Sequence, residues 1–491
     1  MKSAADLPDA HLRTFSRPPL PSPDAIDDVY LVGICGTGMG ALAGLFRQAG
    51  YAVRGSDEAA YPPMSTHLAV QGIPVLEGYD PAHLDPPPDL TIVGNACTPT
   101  HPEATVAREE RLPQASFPEA LGHYVLADPA RHPIVVAGTH GKTTTTGLII
   151  HLLAEAGCDP GFLVGGVMQD RETSYALGSG APFVVEGDEY DSAYFDKRPK
   201  FVHYRPHRAV VTSMEFDHAD IYADPQEYRR AFEAFVALLD ADAGPLALCG
   251  DHEAVRSLAA HTQAPVRTYG LAAHNDVTVR DVRETPDGQD ATLVVDGESV
   301  AALHLPMHGR HNLQNALAAS AMALAEGVSP EQIANGLASF PGMKRRQEVR
   351  GEPGGVLVLD DFAHHPTAVD ATLRGIRAAH PERRLLAVFE PRSNSSRRKV
   401  FEAAYSRAFD AADRVFLKAP PVRHNDAADA MLDPSVVVER LRAQSIPANT
   451  FADVDTLLDA LVRAARPGDV ALLMSNGSFD GLHERLLTAL R

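Results

Sequence analysis

The chain has 491 residues, 45% of them apolar and 22% charged, with a formal net charge of −20. At about 100–200 residues per domain that length calls for several cores, and three is the working expectation. The acidic balance excludes broad affinity for nucleic acid or an anionic membrane, and four cysteines without a CxxC pair exclude a disulfide framework or zinc ribbon.

In chain order, residues 11–24 are proline-rich among polar neighbours, a composition too poor in apolar surface to order itself, so 1–28 is expected to be a disordered leader. No apolar run of signal type is present, and none approaches the roughly 18 residues a membrane helix requires, which points to a cytoplasmic protein. From Val29 the pattern is strand, glycine turn over Gly36–Gly40, helix and a second strand ending in Gly55-Ser56-Asp57, a βαβ unit. Another strand at Leu90–Gly94 and a helical stretch over 117–127 complete a first domain, 29–129. Gly36, Gly38 and Ala41 with Asp57 also fit a dinucleotide fingerprint, so a nicotinamide cofactor stays open at this point.

The second domain, 130–342, opens with the apolar strand Ile134–Ala137, the loop Gly138-Thr139-His140-Gly141-Lys142-Thr143 and a helix to about 156. A glycine turn between strand and helix aims backbone N–H groups and the positive end of the helix dipole at an anion. Lys142 adds a point charge for phosphate, and Thr143 a hydroxyl for Mg²⁺. Val136 stands where the general phosphate-loop pattern has its first glycine. Acidic runs follow two further expected strands, Glu186–Asp191 and Glu215–Asp220, and Glu186 and His218 within them are candidate Mg²⁺ ligands. After short β-rich runs over 274–306 comes a helix at 311–326, where Asn312 and Asn315, three apart, share a face. The third domain, 343–491, has strands expected at 356–362, 384–389, 413–417 and 469–474. The fold class is therefore α/β: three consecutive domains with mainly parallel sheets, phosphate-loop-like in the centre and Rossmann-like on either side.

These marks resemble the Mur ligase family, over nearly the whole chain from about residue 29. The loop Gly138–Thr143, Glu186 with Asp188-Glu189, His218 in Asp217–Asp220, Gly309–Asn315, Arg345-Arg346 and Asp360–Pro366 carry the likeness. The resemblance implies an ATP-dependent amide ligase that works through an acyl phosphate. Lys142, Glu186, His218 and Arg346 are then catalytic, and Thr143, Glu186 and His218 hold Mg²⁺. Gly138, Thr139, His140, Gly141, Lys142, Thr143, Thr144, Asn312, Asn315, Arg346 and Asp361 take ATP. The first domain, with Gly36, Thr37, Gly38, Met39, Gly40, Ser56, Asp57 and Asn95, is similar to the branch that binds UDP-N-acetylmuramate. No lysine lies between Lys200 and Lys344, so a carbamylated lysine found in many members is not expected.

Within that branch, Asp191–Tyr204, Pro391–Asn394 and Met474–Gly477 are similar to the ligases of murein recycling that accept L-alanyl-γ-D-glutamyl-meso-diaminopimelate. The alternative acceptor is L-alanine alone, and a phosphate-loop regulatory ATPase is a distant third reading. His364, Arg392 and Asn394 are the expected peptide contacts, the last two at carboxylates. The partners implied are small molecules, with no nucleic acid and no membrane, on a monomer or weak dimer. Lys142→Ala is expected to abolish turnover with little loss of fold.

Overall fold

The computed structural model describes residues 3–62, 64–217, 221–421 and 430–491, and its chain separates into two compact units. One comprises Met1–Thr278, Val294–Glu298 and Leu317–Gly336, the other Val279–Leu293, Ser299–Ala316 and Leu337–Arg491.

In the first unit, β1 (Asp28–Val32), β2 (Ala52–Asp57), β3 (Val75–Glu77), β4 (Leu90–Val93) and β5 (Gln114–Ser116) form a wholly parallel sheet in the order β3-β2-β1-β4-β5. The chain winds to one side of β1 and then to the other. The loops after β1 and β4, with Gly36 and Asn95, therefore lie at the point where the strand order reverses, the usual crevice of such sheets.

The same unit holds β6 (His132–Ala137), β7 (Gly161–Leu163), β8 (Tyr175–Ala176), β9 (Pro182–Gly187), β10 (Arg208–Val211), β11 (Leu246–Cys249) and β12 (Val266–Tyr269), in the order β12-β11-β10-β6-β9-β7-β8. Only the β7/β8 pair among these is antiparallel. Register is set at the centre: Val136 faces Glu186 and Ala137 faces Gly187 on β9, while Ala137 faces Val211 on β10. Three strand ends therefore surround the glycine loop. β13 (Val277–Thr285), β14 (Gly288–Val295) and β15 (Glu298–Leu305) lie side by side.

In the second unit β16 (Glu348–Gly351), β17 (Leu357–Asp361), β18 (Leu385–Phe389), β19 (Arg414–Lys418), β20 (Ala448–Phe451) and β21 (Val470–Met474) follow the order β16-β17-β21-β18-β19-β20, parallel except at β16/β17. Leu357, Leu359, Ala387, Phe389, Leu472 and Met474 pack into one core, and Val358, Leu386, Val388, Ala471 and Leu473 into another. Both faces of β17, β18 and β21 are covered, so these strands read as apolar runs rather than alternating ones.

The leader departs from expectation over its described part, 3–28. Arg17 forms a two-pronged pair with Glu119, at 2.8 and 2.9 Å, and Arg13 donates to Tyr194 O at 3.3 Å. Phe15 packs against the rings of Tyr194 and Phe195, and Tyr124 donates its hydroxyl to Pro21 O. Burial would raise the Glu119 carboxyl, but the Arg17 guanidinium holds it below its ordinary value. A few specific anchors order the segment, which composition averaged over the stretch does not register.

Candidate active site

The glycine loop owes its shape to its neighbours. Gly138 has φ +140, and a Cβ there would lie 2.0 Å from Thr212 Oγ1. Gly141, φ +80, is the left-handed residue that starts helix Lys142–Glu155. Thr139 Oγ1 accepts from Glu215 N at 2.9 Å and lies 2.9 Å from the Tyr228 hydroxyl, while His140 N donates to Ser213 Oγ at 2.8 Å. The residues just after β10 thus fasten the loop, and Thr144 is buried in the helix behind it.

Lys142 donates to Gly138 O and, at 2.9 Å, to Oε2 of Glu189, which is 0% exposed. Burial by itself would push the ammonium down, but the carboxylates of Glu189, Asp188 and Glu186 hold it above the ordinary lysine value. Tyr222 donates to Glu189 O at 2.6 Å, so the carboxylate side of the pair is fixed as well.

Thr143 Oγ1 donates to Glu186 Oε1 at 2.6 Å, and the other Glu186 oxygen accepts from Gly165 N. Burial, followed by the charge of Asp188, pushes the Glu186 carboxyl up, against the bonds from Thr143 and Gly165 and the charge of Lys142. Two oxygen donors side by side, one a carboxylate short of positive charge, fit a hard divalent cation such as Mg²⁺. His218, the expected third ligand, lies outside the described residues.

In the first domain, Gly36, Thr37 and Gly38 are exposed at the start of helix Thr37–Gln48, while Met39 and Gly40 are buried behind them. Asp57 Oδ2 accepts from Cys35 N at 2.8 Å, which braces the turn. Asn95 is exposed after β4. Ser56 is fully buried, and its hydroxyl donates to the buried Glu103. Only the Ser56 carbonyl serves the turn, accepting from Gly33 and Ile34.

In the second unit, Asn312 and Asn315 lie together as their spacing requires, and both are buried. Asn315 Nδ2 donates to Asn312 Oδ1 at 3.3 Å, and Asn312 Nδ2 to His308 O at 2.9 Å. Asp361 accepts from Gln347 N at 2.9 Å and Ala363 N at 2.8 Å, and burial pushes its carboxyl up despite the nearby Arg346. Arg345 (φ +60) and Gln347 (φ +52) adopt left-handed backbone, so this turn is strained where Arg346 is presented over the Phe362 ring, 4.5 Å from its centre. His364 lies after β17, its carbonyl held by the Tyr405 hydroxyl. Arg392 and Asn394 follow β18.

Sequence reasoning noted Glu189 only within the acidic run and gave it no role at the loop, and it missed Thr212, Ser213, Tyr222 and Tyr228. A signal existed only for Glu189, inside the acidic run already noted; the others are ordinary polar residues until β10 is placed beside β6.

Three family models match the chain: the Mur ligase family, catalytic domain, over residues 28–128, the Mur ligase middle domain over 136–323, and the Mur ligase, glutamate ligase domain over 345–477. A UDP-N-acetylmuramate–L-alanyl-gamma-D-glutamyl-meso-2,6-diaminoheptandioate ligase of Escherichia coli (strain K12) is 42% identical, over 94% of this chain and 98% of its own. A UDP-N-acetylmuramate–L-alanine ligase of Kineococcus radiotolerans is 36% identical, over 92% of this chain and 93% of its own. The crystal structure of a murein peptide ligase from Psychrobacter arcticus 273-4 is 35% identical with a TM-score of 0.70, covering 94% of this chain and 98% of that one. With matches of this extent, and three parallel-dominated α/β domains in the matching order, the chain belongs to the Mur ligase family.

Proposed function

We propose that the chain is an ATP-dependent ligase that joins the carboxyl of UDP-N-acetylmuramate to the amine of L-alanyl-γ-D-glutamyl-meso-diaminopimelate, a step of murein recycling. The observation that carries the acceptor is the 42% identity, across 94% of the chain, to a relative bearing that name, against 36% for a relative named for L-alanine. No helix of the described residues is long and apolar enough to cross a membrane, which agrees with small soluble substrates.

A carboxylate is a poor electrophile, so amide formation at neutral pH needs activation, here by transfer of the ATP γ-phosphoryl group to the muramate carboxyl. Such transfer depends on positioning and charge neutralisation. The backbone of Gly138–Gly141 and Lys142 receive the phosphates, with Thr144 in the helix behind the loop. For Lys142 to do so, its ammonium turns from Glu189, or shares it, toward the γ-phosphate. Thr143 and Glu186, with His218, are assigned to Mg²⁺, which when bound neutralises phosphate charge. Asn312 and Asn315 are assigned to adenine, which exchanges their mutual bond for bonds to the base, and Arg346 and Asp361 to ATP from the strained turn. The UDP-sugar is assigned to Gly36–Gly40, Asp57 and Asn95, with Ser56 acting through its carbonyl. The peptide amine, as free base, attacks the acyl phosphate; the C–N bond forms, the C–O bond to phosphate breaks, inorganic phosphate leaves with the electron pair, and it takes up the proton that the amine nitrogen gives up.

The test supplies ATP and UDP-N-acetylmuramate with either the tripeptide or L-alanine, and follows phosphate release and product mass. Preferential use of the tripeptide is expected; preferential use of L-alanine sinks the assignment, and phosphate release that needs no acceptor points to a simple ATPase.

A further inference from the structure

At one edge of the second unit's sheet, β17, β21 and β18 end side by side. Phe389 faces Met474, Glu390 N donates to Met474 O at 3.0 Å, and Ser475 N donates to Asp361 O at 3.1 Å. Carboxyl ends of parallel strands are where such sheets take ligands.

Glu390 is only 3% exposed there. Its Oε2 accepts from the fully buried Ser475 hydroxyl at 2.6 Å. Among the described residues no hydrogen bond reaches its Oε1, which forms only a long ion pair with Arg392 Nη1, at 3.8 Å and beyond hydrogen-bond distance. Buried carboxylates ordinarily collect donors on both oxygens. Arg392 in turn makes no hydrogen bond among the described residues, and its stem crosses Gly477 so closely that a Cβ there would be 2.4 Å from Cδ. Beside them Asn476 Oδ1 is buried without a hydrogen-bond partner. Two acceptors that want a donor, next to a guanidinium that wants an acceptor, match an ammonium and a carboxylate carried on one carbon.

Meso-diaminopimelate has an amine and a carboxyl at each end, and the peptide link uses one amine, so its far end remains a zwitterion. We propose that Glu390, braced by Ser475, receives the ammonium of that far end while Arg392 takes its carboxylate. This rests on the tripeptide reading and adds to it the residue that recognises diaminopimelate.

The test compares wild type and Glu390→Gln in ligation of three peptides to UDP-N-acetylmuramate: L-alanyl-γ-D-glutamyl followed by meso-diaminopimelate, by L-lysine, or by 2-aminoheptanedioate, which lacks the far amine. Loss of a charge-assisted bond raises KM by about 10- to 100-fold for the two amine-bearing peptides, with a rise about tenfold smaller for the third, and kcat moves less than KM. Calorimetric ATP binding by the variant verifies its fold, and Ser475→Ala gives the same ranking at smaller amplitude. An equal rise for all three peptides, no rise, or a variant inactive on all of them overturns the ammonium seat alone. A wild type that uses L-alanine and refuses every peptide overturns the tripeptide reading, and the seat with it.

Discussion

Replacing Lys142 by alanine was expected from the sequence to remove turnover and spare the fold; the geometry changes the second half of that expectation. The side chains of Lys142 and Glu189 are 13% and 0% exposed and meet at 2.9 Å, with Glu186 and Asp188 also acting on the ammonium. Removing one partner of a buried pair leaves the other charged and desolvated, at a cost of about 3–5 kcal/mol, more than a hundredfold in the unfolding equilibrium. Lys142→Ala should therefore be inactive and clearly less stable. The double variant Lys142→Ala/Glu189→Gln, which also removes the buried charge that Lys142 faced, should be equally inactive but recover most of the loss. Urea unfolding of wild type, both single variants and the double variant, with phosphate release on the same preparations, gives the coupling energy directly. Lys142→Ala with the urea midpoint of wild type, or a double variant no more stable than Lys142→Ala, would refute the reasoning.

Three further outcomes follow from the same contacts. Glu186→Gln should abolish Mg²⁺-supported ligation yet raise Tm in EDTA at neutral pH. Because the native carboxyl is pushed up, ionising it opposes folding, so the gain should grow as pH rises above the ordinary value of about 4.3 and vanish below it; a gain independent of pH contradicts this. Gly138→Ala, with its Cβ 2.0 Å from Thr212 Oγ1 at φ +140, should cost about 1–3 kcal/mol and weaken ATP binding measured by calorimetry; unchanged affinity and Tm would show that the loop can adapt. Arg17→Ala should make the N-terminal segment markedly more sensitive to limited proteolysis at pH 7. Wild type should become so only as acid protonates Glu119, whose lowered pKa supplies stability that is lost as pH falls through the folded value; equal cleavage of both proteins at pH 7 would remove the anchoring role.

Legibility depended on range along the chain. The loop Gly138–Thr143 and the pair Asn312 and Asn315 were readable because a few neighbouring residues define them: glycine conformations and a helix start in one case, a three-residue helical spacing in the other. The buried strands β4, β6, β17, β18 and β21 showed themselves as apolar runs. The three-residue strands β3, β5 and β7 did not, because so short a run has no period to detect. The ordered leader escaped for a related reason, since Arg17 and Glu119 are 102 positions apart and the proline-rich composition between 11 and 24 carries no trace of that pairing.

By itself the sequence determined the three-domain α/β plan and the glycine loop after β6, because strand, turn and helix patterns along short stretches of chain carry both. Only the tertiary structure decided what each charge does. The register that sets Val136 opposite Glu186 brings Glu189 onto Lys142, and the adjacent ends of β21 and β18 put the Ser475 hydroxyl on Glu390. A carboxylate in a loop is a solvated charge until the strands beside it close, and closure depends on pairings between residues far apart in the chain.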